Sequence, residues 1–105
     1  MNWKTEENKK LVEAILLLET EKETKTFLRD LLTEAEINEF AKRLQTAEML
    51  SNNIPYSVIE KKTGLSSTTI ARVAKWLKGE EGGYKNILNK LHHHRNQSQE
   101  GRRLS

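Results

Sequence analysis

Apolar positions along this chain recur three and four residues apart almost from end to end. Leu11, Ala14, Ile15 and Leu18 follow Thr5-Glu6-Glu7, a cap residue with acids in the first turn, and predict an amphipathic helix over 6–20. Leu16 and Leu17 widen its apolar stripe beyond one face, which suits a helix that offers part of its surface to a partner chain. Phe27, Leu28, Leu31 and Leu32 predict a second helix over 24–32. Thr33-Glu-Ala-Glu36 has the spacing of a capping box, with Glu36 reaching back to Thr33. The helix it opens is expected to run to about Asn52, with Ile37, Phe40, Ala41, Leu44, Ala47 and Leu50 on one side. Gly79 and Gly82-Gly83 interrupt the chain further on, and Ile87, Leu88 and Leu91 predict a short last helix from Tyr84 to about Leu91. There is no internal repeat, no period-two alternation and no hairpin signal, so the expected class is all-α.

Between the long helix and Gly79 lies a different pattern. Two short helical segments flank Gly64-Leu65-Ser66, the arrangement of a helix-turn-helix over about 55–78. Pro55 suits a first helical position, where a missing N–H costs nothing. Val58, Ile59 and Thr63 are expected to share a side, Gly64 to take positive φ, and Ser66 to cap the second helix. Ile70, Val73, Trp76 and Leu77 would form the packing seam, which leaves Ser67, Thr68, Ala71, Arg72 and Lys75 outward. Small polar residues followed by cations suit a helix inserted into the major groove, because small side chains permit close approach and cations reach bases or phosphates.

Composition sharpens this picture in two ways. A chain of 105 residues with 35% apolar and 31% charged residues is one domain or protomer with little material for a core, and oligomerisation is the expected remedy. The net charge of +3 is unevenly spread: residues 54–79 hold five Lys/Arg against one Glu, whereas residues 33–53 hold two against four acids. Positive charge therefore gathers on the helix-turn-helix, as phosphate binding requires. Zero cysteines remove disulfides, thiolate metal sites and thiol catalysis. No apolar run approaches the roughly 20 residues of a membrane span and no signal peptide is visible, so a cytoplasmic location is expected. No nucleophile, acid/base pair or phosphate loop suggests an enzyme. Three consecutive histidines, His92–His94, do not share one helix face, and no metal site is expected.

Leu31-Leu-Thr-Glu-Ala-Glu36, the long helix bearing Arg43, the stretch from Ile59 to Leu77, and Gly82-Gly-Tyr84 together resemble the Trp-repressor-like family, especially its YerC/YecD-type branch. The resemblance spans roughly residues 6–91. It implies a six-helix protomer that intertwines with a second copy, and a transcription regulator of double-stranded DNA that reads two-fold operators. Half-sites would lie about 34 Å apart in the usual dimer geometry. The helical domain would occupy residues 1–94, and the polar segment 95–105 would be a disordered tail. In Trp repressor, L-tryptophan sets the spacing of the reading heads. Leu32, Thr33, Arg43 and Arg72 match its pocket pattern here, but Trp76 stands where the pattern has Ser, and Val73 where it has Gly. L-Tryptophan corepression is therefore not expected, no cofactor is assigned, and an unidentified small effector is left open.

The residues that would meet DNA are Ser66, Ser67, Thr68, Thr69, Ala71, Arg72, Lys75 and Lys78 on or beside the second motif helix, and Lys61 and Lys62 on the first. For Arg72 a base or phosphate contact is favoured over an anion contact in a pocket or a surface ion pair; Arg43 is as readily a salt-bridge partner as a ligand group, Ser66 a plain cap, and Trp76 core or interface packing. Two further readings stand beside the regulator: a helical protein-interaction module whose helix-turn-helix is vestigial, and the targeting piece of a transposase-like protein.

Overall fold

The computed structural model describes residues 1–104, with side chains to Arg95. The helices are α1 (Glu6–Leu16), α2 (Glu21–Leu31), α3 (Glu34–Ser51), α4 (Tyr56–Thr63), α5 (Ser67–Lys78) and α6 (Gly83–Leu104), and no strand occurs among the described residues. The chain divides into two compact units, Met1–Ile37 and Asn38–Ser105.

The first unit holds α1, α2 and the opening turn of α3. Thr5 caps α1, its hydroxyl accepting from the Asn8 N–H at 3.2 Å. The helix stops at Leu16, four residues short of the expected end, because Thr20 starts the next one. The Thr20 hydroxyl accepts from the Glu23 N–H at 3.1 Å, so α2 begins at Glu21 rather than at residue 24. A Thr three residues before a Glu is a cap signal that outweighs continued apolar spacing. The expected capping box forms: the Thr33 N–H donates to Glu36 Oε1 at 2.9 Å, and the Glu36 N–H donates to the Thr33 hydroxyl at 3.1 Å. No residue of this unit is buried; Leu16 is 79% exposed and Leu17 66%.

The second unit contains the core. Thr46 and Ala47 of α3, Ile59 and Thr63 of α4, and Ile70, Val73, Ala74 and Leu77 of α5 are buried. α5 packs against both α4 and α6. The close of α3 is a Schellman motif: the Asn53 N–H donates to Leu50 O, the Ile54 N–H to Met49 O, both at 3.0 Å, and Asn53 takes φ 59°. The expected end at Asn52-Asn53 is thus realised through a left-handed Asn. α6 extends past the expected end near Leu91, and the Arg95 guanidinium lies 3.6 Å from Glu48 of α3. The segment 95–105, expected as a disordered polar tail, instead continues α6 in its backbone as far as Leu104, and Ser105 lies outside the described residues.

Candidate nucleic-acid interface

The helix-turn-helix is held by its turn. Gly64 has φ 74°, which closes α4 through a 2.8 Å bond from its N–H to Glu60 O. Beside it the buried Thr63 hydroxyl makes two links: it donates to Ile59 O at 2.8 Å and accepts from the Leu65 N–H at 3.1 Å. One side chain therefore ties the last turn of α4 to the reversal. The sequence pattern marked Thr63 only as a facing position, since a Thr among apolar residues does not announce a hydrogen bond to a residue two ahead.

Ser66 caps α5 as expected. Its hydroxyl accepts from the Thr69 N–H at 3.2 Å and lies 3.0 Å from the Thr69 hydroxyl. Pro55 sits at the N-cap of α4 rather than inside it, with extended ψ of 148°. Val58 is 44% exposed and does not join Ile59 and Thr63 on the packing side, because one residue is a 100° step around a helix. The same geometry corrects the expected seam of α5. Ile70, Val73 and Leu77 are buried with Ala74, but Trp76 is 56% exposed and is not core in this chain.

The outward side of α5 carries Ser67, Thr68, Ala71, Arg72, Lys75 and Lys78, all exposed, with Thr69 half-buried. Lys61 and Lys62 stand exposed in the last turn of α4. Among the described residues none of these five cations has a carboxylate within ion-pair distance. Glu60 is the one acid between residues 54 and 79.

The residues expected to form an effector pocket have local roles. Leu32 is the half-buried C-cap of α2 and Thr33 belongs to the capping box, both in the first unit. In the second unit, Arg43 pairs with Glu39 at 3.2 Å and holds its guanidinium 5.7 Å from the centre of the Phe40 ring. Its Nε is buried without a hydrogen-bond partner among the described residues.

Comparison with known proteins agrees with this architecture. Residues 6–92 match the Trp repressor protein family. YerC, an uncharacterized protein of Bacillus subtilis (strain 168), is 37% identical over 81 residues, which cover 77% of this chain and 78% of that protein. A TrpR-like protein of Eubacterium eligens superposes with TM-score 0.80 at 35% identity, covering 86% of this chain and 93% of its own. A Trp repressor candidate from Staphylococcus aureus superposes with TM-score 0.80 at 34% identity, covering 88% and 95%. The helix order, the capped helix-turn-helix and these likenesses agree: the chain belongs to the Trp repressor family of DNA-binding regulators, in its YerC-type branch.

Proposed function

We infer that this chain is a sequence-specific transcription regulator that works as a homodimer and represses. The observation that carries this reading is the charge on the helix-turn-helix: Lys61, Lys62, Arg72, Lys75 and Lys78 are exposed with no carboxylate to neutralise them among the described residues. Lysines so placed release counterions on meeting phosphates and supply affinity without sequence preference. Ser67, Thr68, Ala71 and Arg72 supply the discrimination, since small side chains let α5 approach base edges and a guanidinium can bridge guanine O6 and N7. Ser66 and Thr69, whose hydroxyls meet at the cap, hold the end of α5 that enters the groove first. Homodimer formation is supported by Leu11, Val12, Ile15, Leu16 and Leu17, which the chain leaves uncovered. L-Tryptophan is not the corepressor in this reading, because Trp76 and Val73 depart from the pocket pattern. Work on chromosomal DNA places the protein in the cytoplasm; no helix of the described residues is long and apolar enough to cross a membrane.

Selection from a random duplex library, read by anisotropy at low and physiological salt and by sequencing, tests the reading. A two-fold enriched site with half-sites about 34 Å apart is expected. In that site Arg72→Ala should cost about 1–3 kcal/mol and relax preference at one position. A uniform loss over all sequences would instead mark Arg72 as a phosphate contact. Absence of binding even at low salt would overturn the DNA reading in favour of a helical protein-interaction module, which the uncovered stripe of α1 would equally suit.

A further inference from the structure

α6 packs within the second unit through an ordinary apolar stripe, its half-buried residues being Tyr84, Leu88 and Leu91. A helix against a core presents apolar residues at i, i+3, i+4 and i+7. Beside that stripe runs a second row, Lys85, Leu88, Asn89, His92 and Arg95, in which every residue but Leu88 is exposed. These side chains line one wall of a cleft of about 440 Å³, and the last turn of α3 lines the other. The volume lies in the range of small-molecule sites.

The chemistry of the walls narrows the occupant. The floor is apolar, made by Leu77 at the end of α5 and Leu88 of α6. Among the described residues Glu48 is the one carboxylate in the lining, and Arg95 already pairs with it at 3.6 Å. Lys85 has no carboxylate within ion-pair distance among the described residues, so the lining has an excess of positive charge. Asn52 and Asn89 bring amides that both donate and accept. One carboxylate is too few for a hard divalent cation, which takes six or more oxygens.

We propose that this cleft between α3 and α6 binds a small organic carboxylate. The carboxylate sits at Lys85, the hydrocarbon body rests on Leu77 and Leu88, and a further polar group of the ligand meets Asn52 or Asn89. The site is separate from the cations of α4 and α5, so it stands or falls independently of DNA binding.

A titration of the full ¹⁵N-labelled chain with isocaproate, succinate and inorganic phosphate, followed by NMR, tests the proposal. Saturable shifts at the amides of Leu88, Asn89 and Leu77 are expected with isocaproate or succinate. Isocaproate should bind about tenfold more tightly than phosphate, the worth of roughly two buried methylenes. Lys85→Met, a substitution of an exposed residue, should weaken carboxylate binding about tenfold or more. The absence of saturable shifts up to about 10 mM of every anion would overturn the site. So would unchanged binding by Lys85→Met, and equal affinity for phosphate would reduce the cleft to a bare charge contact and overturn the organic ligand.

Discussion

Thr63 shows how one hydroxyl can set a functional angle. It is buried, it donates to Ile59 O, and it accepts from the Leu65 N–H at the point where the chain turns toward α5. Thr63→Val keeps shape and apolar volume but strands the Leu65 N–H, so urea denaturation should show a loss of about 1–3 kcal/mol. Thr63→Ser retains the oxygen and should lose less. Gly64 next to it poses a cleaner case. A Cβ there meets nothing within 4 Å, so the cost of Gly64→Ala is purely that of holding φ 74°. That cost is about 1–2 kcal/mol. Asn, which tolerates the left-handed region, should be milder than Ala at this position. Equal stability of the Ala variant would mean that the turn relaxes to another conformation.

Helix ends decide the element boundaries, and one of them is sensitive to pH. The N–H of Thr33, and secondarily its hydroxyl, hold the Glu36 carboxyl below the ordinary glutamate value. A carboxyl depressed in the folded state stabilises it fully above the unfolded value, and this contribution is lost as pH falls through the folded value. The first turn of α3 should therefore fray in acid while remaining closed at neutral pH. Carboxyl ¹³C titration should find Glu36 below an unperturbed glutamate. Protection of the Thr33 amide should fall along the same curve, and Glu36→Gln, which keeps an acceptor but no titration, should flatten it. An ordinary Glu36 titration would show that the capping box is open in solution.

At the scale of the molecule, apolar surface is badly distributed for a lone chain. The buried core lies in the second unit, whereas α1 carries Ile15, Leu16 and Leu17 in the open. An exposed side chain on a monomer changes stability by no more than about 0.5 kcal/mol when truncated. Covered by a second copy, Leu16→Ala would cost about 2 kcal/mol or more. It would also shift sedimentation toward the monomer and make the melting temperature depend on protein concentration. A neutral Leu16→Ala with unchanged sedimentation would remove this support for the homodimer.

Local order was legible in the sequence wherever the chain satisfies its own backbone. Thr5, the Thr33/Glu36 box, Gly64 and Ser66 act within three or four residues, and each took its expected place. The all-α class and the helix-turn-helix follow from such short-range chemistry together with apolar period. Where local signals competed, the period alone misled: apolar spacing carried the first helix to residue 20 and began the second at 24, whereas α1 ends at Leu16 and the cap at Thr20 starts α2 at Glu21. Tertiary structure decided the rest, because burial depends on which neighbour arrives and spacing defines a face only to within one 100° step. It placed Val58 and Trp76 outside while closing Ile59 and Leu77 within, and left the cations of α4 and α5 without a carboxylate at ion-pair distance among the described residues. It also set a polar row of α6 opposite the end of α3, a juxtaposition of residues some forty positions apart that no local pattern contains.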